Sequence, residues 1–353
     1  MRITTRSVRA AAAAATALVC VACGSRGTTT GPSTSSSGAP GFSVAPPPGG
    51  SASFTVSPVD VSIPNSLTAL GNLNPPGHVL PTDHVYFYQG SLATLNPFGS
   101  NATRTVYMPT KASVLQVLTS TGGTDWKVYF IVTATFQFYF DHLTPRAGLA
   151  VGQTINAGDV VGTSNTTLDF GAFDYSTTLP GFVAPSRYPD QTLHCVSPWK
   201  YFVEPLRSQL YANVYRAPSA PDRDGKIDFD IPGRLSGDWF DPSVSSSADP
   251  SSWTRTIAFA YDYYDPSLVR ISIGGTVAPP GVWAIDPAAP RPADVSVATG
   301  KVIYRLLYQD STLGQYGVMV VQMLSDTSIK VEVFPGGTAA TPDFDGGAYT
   351  WIR

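Results

Sequence analysis

The chain has 353 residues, a formal net charge of −3 and only 13% charged residues, against about 25% in an average soluble protein. Sparse Lys and Arg with no clustering exclude a nucleic-acid partner, which requires a basic face. With 32 Gly, 31 Pro, 17 Tyr and 17 Phe, short strands and many turns are expected rather than long helices, and the length suggests two domains.

In chain order, the first segment reads as a processing signal. Arg2, Arg6 and Arg9 precede an apolar, Ala-rich run, "AAAAAATALVCVAC", which is too short and too rich in alanine for a membrane span. Its end, "VCVACGS", resembles a bacterial lipobox, with Val21 and Ala22 before Cys23 and Cys20 where leucine is usual. Residues 1–23 are therefore expected to be a lipoprotein signal with Cys23 as the lipid attachment site. A plain cleaved signal peptide is the alternative. Residues 24–52 are Ser, Thr, Gly, Pro and Ala and cannot bury a core, so a disordered tether is expected. The implied location is the outer face of a bacterial membrane, with the chain exported and lipid-anchored. In that setting the sequons at Asn101 and Asn165 carry little weight. Cys195 is then the one remaining thiol, which excludes a disulfide framework. Despite its neighbour His194, it is expected to be buried and inert.

Residues 53–215 hold all four histidines, His78, His84, His142 and His194. Any imidazole chemistry belongs there. "HVYFYQG", "RTVYMP", "SVLQVLTS", "WKVYFIVTATFQFYF" and "TLDFGAFDY" read as strands, with "STGGTD" as a hairpin loop. The glycines of "GLAVGQTINAGDVVGTS" mark tight corners. "SPWKYFVEPLRSQLYANVY" is the one helical prediction. Residues 216–353 contain no histidine. They show at least six short strands, including "SIKVEVF", where Ile329, Val331 and Val333 share a face. An antiparallel sandwich or barrel is expected. "DRDGKIDFD" (222–230) has Ala220 and Ile231 where a calcium loop needs acidic ends, so it reads as an exposed acidic turn. "GRLSGDWF" is expected at the domain junction.

The stretch "FYFDHLTPRAGLAVGQTINAGDVVGTSNTTLDFGAFD", with "VYMPTKASV" upstream, resembles the zinc metallopeptidases of the lysostaphin and LytM type, peptidase family M23. The resemblance covers about 84–174. It implies an all-β fold, with a β-sheet or barrel-sandwich domain over 53–215 ahead of the C-terminal one. By the same resemblance, His84 takes the place of the first zinc ligand. His142 takes that of the histidine that positions water or stabilises the oxyanion, and Asp169 stands at the second position of the family's His-x-His ligand pair. Three positions depart from the pattern: Tyr88 replaces an aspartate, Thr167 the first histidine of the pair, and Asp169 the second. A catalytic zinc needs three protein ligands and an open position. Beyond His84 and Asp169, the third is left open among His142, His78 and Asp83. Threonine cannot act as a general base at neutral pH.

The expectation is therefore an envelope lipoprotein with a degenerate, non-catalytic peptidase-like domain. It would act in binding or structure at the cell wall, with no cofactor assigned and zinc left open, and with peptidoglycan or an envelope protein as partner. The alternative is a divergent zinc metallohydrolase acting on peptidoglycan peptides. A further alternative is an adhesin or carbohydrate-binding module carried by the aromatic residues of 216–353.

Overall fold

The computed structural model describes residues 50–63, 65–89, 103–120, 123–165, 167–337 and 342–353. The leader with Cys23, the tether up to residue 49 and Asn101 lie outside the described residues. The protein is all-β, and among the described residues no helix is long and apolar enough to cross a membrane.

Ten strands form the first sheet: β1 Asn65–Leu67, β2 Val85–Gln89, β3 Arg104–Tyr107, β4 Ala112–Thr119, β5 Trp126–Thr133, β6 Phe136–Pro145, β7 Thr154–Ile155, β8 Val160–Ser164, β9 Leu168–Asp174 and β10 Cys195–Val196. The order is β1-β2-β9-β6-β5-β4-β7, with β10 beside β9 and β3 joined through β8 to β6. Period-two patterning explains the core. Phe136, Phe138 and Phe140 of β6 point to one face and stack with Phe130, Phe170 and Phe54. Each fully buried ring contributes about 1.5–3 kcal/mol. Tyr139 and Asp141 point to the other face.

Two predicted elements differ. "WKVYFIVTATFQFYF" is a hairpin rather than one strand, because Ala134 and Thr135 turn the chain between β5 and β6 with no glycine to signal it. The predicted helix is split into a 3-10 turn at Pro198–Tyr201 and an α-helix, here α2, Leu206–Ala212, after the shorter α1 at Asp190–Leu193. Pro205 lacks an N–H and bars Glu204 from helical backbone, so the two pieces cannot join.

The second region is a closed barrel of eight antiparallel strands: β11 Gly237–Phe240, β12 Thr256–Tyr261, β13 Val269–Ile273, β14 Gly281–Ala284, β15 Lys301–Leu307, β16 Gln315–Ser325, β17 Ser328–Pro335 and β18 Tyr349–Ile352. Phe240 of β11 pairs with Ile352 of β18 and shuts the ring, which leaves no free edge. Ile329 and Val331 of β17 point into its core and Val333 packs against it.

At the junction, Trp239 faces the barrel core while Phe240 joins the core of the sheet, as "GRLSGDWF" led us to expect. The acidic turn is corrected in its second half: Asp222 is exposed, but Asp228 and Asp230 are buried. Their carboxylates accept backbone N–H groups from Gly181 (2.9 Å) and from Val183 and Asp238 (2.9 and 2.8 Å). Those bonds fasten the segment after β9 to the barrel. Tyr188 donates its hydroxyl to Asp238 Oδ2 at 3.0 Å across the same seam.

Candidate functional site

The site is built on the outer face of β2, β9 and β6. Register places Tyr86 beside Asp169, and Asp169 beside Asp141. Between Trp126–Leu143 and Val128–Phe140 the β5–β6 ladder shifts by one residue, a bulge on β6. His142 sits in it with φ 58°, a left-handed conformation that costs a non-glycine residue about 1–2 kcal/mol. The bulge has a clear steric consequence. Strict alternation would aim His142 into the phenylalanine core. The extra residue instead leaves Asp141 and His142 both outward and returns Leu143 to the core, where it is 1% exposed. The His142 N–H donates to Asp141 Oδ1 at 3.1 Å.

The structure brings His84, Asp169 and His142 together. Asp169 Oδ2 lies 3.4 Å from His84 Nε2 and 3.5 Å from His142 Nε2. His84 Nδ1 donates to Asp83 Oδ1 at 3.1 Å, and its Nε2 is 3.0 Å from the Tyr86 hydroxyl. His142 Nδ1 donates to Asp125 Oδ2 at 3.1 Å. Carboxylates and imidazoles thus alternate along one line, Asp83, His84, Asp169, His142, Asp125, from the interior to the β4–β5 hairpin. Asp83 is held further by the Tyr139 hydroxyl at 3.2 Å and Thr192 Oγ1 at 3.4 Å. Lys127 pairs with Asp141 at 3.2 Å and lies 3.8 Å over the Tyr139 ring.

Electrostatics follow from this order. Burial alone would lower the His142 pKa, but the charges of Asp169, Asp125 and Asp141 outweigh it and push it up to about 10. His142 is an imidazolium at neutral pH, with both ring nitrogens facing carboxylates. Burial raises the Asp169 pKa above the usual carboxylate value, and the imidazoles of His142 and His84 reduce that rise without cancelling it. Burial would raise Asp83 too, yet the His84 and Tyr139 bonds and the charges of His84 and Lys127 bring it to about 2. His78 stands edge-on to His84, ring centroids 5.2 Å apart. Burial, with the nearby His84 charge, lowers its pKa to about 3, so it is neutral.

A tetrahedral zinc with ligands at roughly 2.0–2.2 Å needs its donors about 3.3–3.6 Å apart. His84 and Asp169 meet that spacing as a pair. His142 Nε2 also meets it with Asp169 Oδ2, at 3.5 Å, but His84, Asp169 and His142 do not bring all three donors within 4.8 Å of one another, so they do not close around one ion. The three metal-ligating side chains whose donor atoms do come within 4.8 Å of one another, among the described residues, are Asp125, Asp141 and His142. At the positions where the family pattern departs, Tyr88 stacks on Tyr86 at 5.5 Å and the Thr167 carbonyl accepts from Ser164 Oγ at 3.1 Å. Asp83 spends its carboxylate on the far side of His84. The residues present do not fit the implied zinc. Cys195 is buried, its thiol raised well above its usual pKa by burial, and Sγ donates to the Asp83 carbonyl at 3.4 Å, which leaves no thiolate for chemistry. His194 Nδ1 is occupied by the Thr177 carbonyl at 2.5 Å.

A cleft of about 680 Å³ opens beside this face. Its sheet wall includes His78, His84, Lys127, Asp141 and Asp169, and its far wall includes Ile227, Asp238, Ser252 and Trp253. The barrel therefore forms half of the site, a contribution absent from any motif. Sequence reasoning also missed Asp125 and Tyr86. Asp125 directly follows "STGGT" in the hairpin loop, which was the available signal.

No family model matches the chain, and no curated protein does. Among solved structures it is similar to Csd3 of Helicobacter pylori (17% identity, 36% of this chain and 33% of that chain, TM-score 0.26). It is also similar to a zinc-containing peptidase of Vibrio cholerae (17% identity, 35% and 37%, TM-score 0.26). The catalytic domain of the antimicrobial peptidase lysostaphin of Staphylococcus simulans is matched at 16% identity over 31% of this chain and 79% of that chain, TM-score 0.23. The chain spans about a third of the length of the first two. Likenesses at these TM-scores carry no weight for the site, which stands on its own geometry.

Proposed function

We propose that the chain is a binding protein of the bacterial cell envelope, lipid-anchored through Cys23, whose peptidase-like sheet supplies one wall of a ligand cleft and performs no zinc catalysis. The partner in this reading is the peptide part of peptidoglycan or an envelope protein. The observation that supports it is the placement of Asp169 Oδ2 between the His84 and His142 imidazoles, where carboxylates neutralise the histidines and the donors do not converge on a metal. The test is incubation of the full chain with purified peptidoglycan. Expected are co-sedimentation, no release of new amino groups, and zinc far below one equivalent by elemental analysis. Metal-dependent cleavage of cross-links, abolished by His84→Ala, would overturn it.

One observation favours a second reading, a divergent zinc metallohydrolase of peptidoglycan peptides. Asp169 Oδ1 is buried without a hydrogen-bond partner, on a carboxylate whose other oxygen, Oδ2, lies 3.4 Å from His84 Nε2, at ligand-pair spacing. One equivalent of tightly held zinc, lost on both His84→Ala and Asp169→Asn, would establish it.

A further inference from the structure

Three residues that line the cleft each carry a buried polar atom that the protein itself leaves unsatisfied. Asp169 Oδ1, Asp238 Oδ1 and Ser252 Oγ all belong to lining residues, and none has a hydrogen-bond partner. These residues are 3%, 3% and 1% exposed. An unsatisfied buried polar atom costs about 1–3 kcal/mol, and three of them lie along one cleft. The other lining carboxylates are engaged: Asp83 by His84, Tyr139 and Thr192, Asp141 by Lys127, and Asp249 by the Ser251 N–H.

Charge then selects the ligand. Five aspartates line the cleft, and Lys127, already paired, is the lysine or arginine among its lining residues. Behind Asp238 stands a second buried carboxylate, Asp230, whose oxygens accept the Asp238 and Val183 N–H groups. Burial and that neighbouring charge hold Asp238 well above its usual pKa, so its neutral form is favoured until a cation arrives to stabilise the carboxylate. Arg353, whose charge acts on Asp238, is committed to the carbonyls of Ser236, Ile231 and Arg234 and to the Trp239 ring. An anion entering the cleft would be repelled, and a purely apolar ligand would leave the acceptors unsatisfied. A primary ammonium brings positive charge and three donors. Phe182, Ile227 and Trp253 line the remainder and suit an alkyl stem.

We propose that the cleft binds a peptide through a primary ammonium on an alkyl stem, a lysine-type side chain, received by Asp238 and Ser252 of the barrel wall. This rests on the reading of the cleft as a binding site and adds the chemistry of its occupant. The test is calorimetric titration of the full chain with the tripeptides Ala-Lys-Ala, Ala-norleucine-Ala and Ala-Glu-Ala. The lysine peptide should bind at least about tenfold more tightly than the norleucine peptide, the scale of one charge-assisted hydrogen bond, and the glutamate peptide should not bind. Asp238→Asn should remove that preference, so that the lysine and norleucine peptides bind alike. Ser252→Ala should weaken lysine binding about fivefold while the thermal midpoint holds or rises, since it deletes an unpartnered hydroxyl; this variant separates loss of the ligand contact from misfolding. Equal affinity for lysine and norleucine, no binding of any peptide, or a lysine preference that survives both substitutions would overturn the inference. Retained binding to peptidoglycan without lysine selectivity would remove this inference alone, whereas loss of both would remove the functional reading as well.

Discussion

The two walls of the cleft bury aspartates in opposite ways. On the sheet wall, carboxylates and imidazoles alternate, so Asp83, Asp169 and Asp125 each meet a histidine. On the barrel wall, Asp230 and Asp238 face each other with backbone N–H groups and a tyrosine hydroxyl as their partners. One wall supplies its own counter-charge, whereas on the other, among the described residues, no lysine or arginine is in direct contact with either carboxylate and burial raises both pKa values. The comparison shows that burial of a carboxylate does not by itself indicate a site. What counts is whether its counter-charge comes from the protein.

Four experiments break or sharpen that contrast. The largest effect is expected from the apolar layer both walls stand on. Phe138→Ala should cost about 3–5 kcal/mol at any pH, read from urea midpoints, because the rings packed against it are those of Phe54, Phe130, Phe140 and Phe170. His142→Ala should cost about 3 kcal/mol, since it leaves Asp169 as a buried charge without its partner on that side. A double variant with Asp169→Asn should recover part of that loss, and strict additivity would show that the two do not interact. The pH dependence follows from the same residue. The folded pKa of His142, about 10, lies above its ordinary 6.5, so its stabilisation is complete below about 6.5 and is lost as pH rises through 10. Thermal midpoints of the native protein should fall across that window, and His142→Gln should flatten the fall. The smallest effect is expected from Gly171→Ala. An added Cβ would stand 2.1 Å from the Tyr139 ring, and displacing the ring should cost about 1–3 kcal/mol and free Asp83 from the tyrosine hydroxyl. An unchanged urea midpoint in this variant would show that the ring had not been displaced.

Much of the fold was legible because burial follows alternation. Ile329 and Val331 on β17, or Phe138 and Phe140 on β6, declare their face at a spacing of two. Closure of the barrel was not legible, because the pairing of Phe240 with Ile352 joins residues remote in sequence, and the same strands suit a sandwich. The Ala134–Thr135 turn carried no glycine or asparagine to announce it. At the site, His84, His142 and Asp169 were reached through the peptidase resemblance, and the structure sets them side by side. That the donors fail to enclose a metal depends on ring orientation, which spacing does not encode. Asp238 was invisible for a simpler reason: its relevance arises only when the barrel folds against the sheet. One parity signal was present and went unread. After Phe136, Phe138 and Phe140 the next core residue is Leu143, a step of three where a strand should step by two.

That odd step has a consequence for how such a site comes and goes over generations. If the codon for His142 were deleted, Leu143 would follow Asp141 directly, the phenylalanines and leucine would keep their face, and the strand would regain unbroken pairing. The imidazolium would vanish with little change to the hydrophobic pattern, and the reverse insertion would restore it. The histidine is therefore a detachable part, separable from the scaffold by one insertion or deletion, and its presence can be selected independently of the fold that carries it.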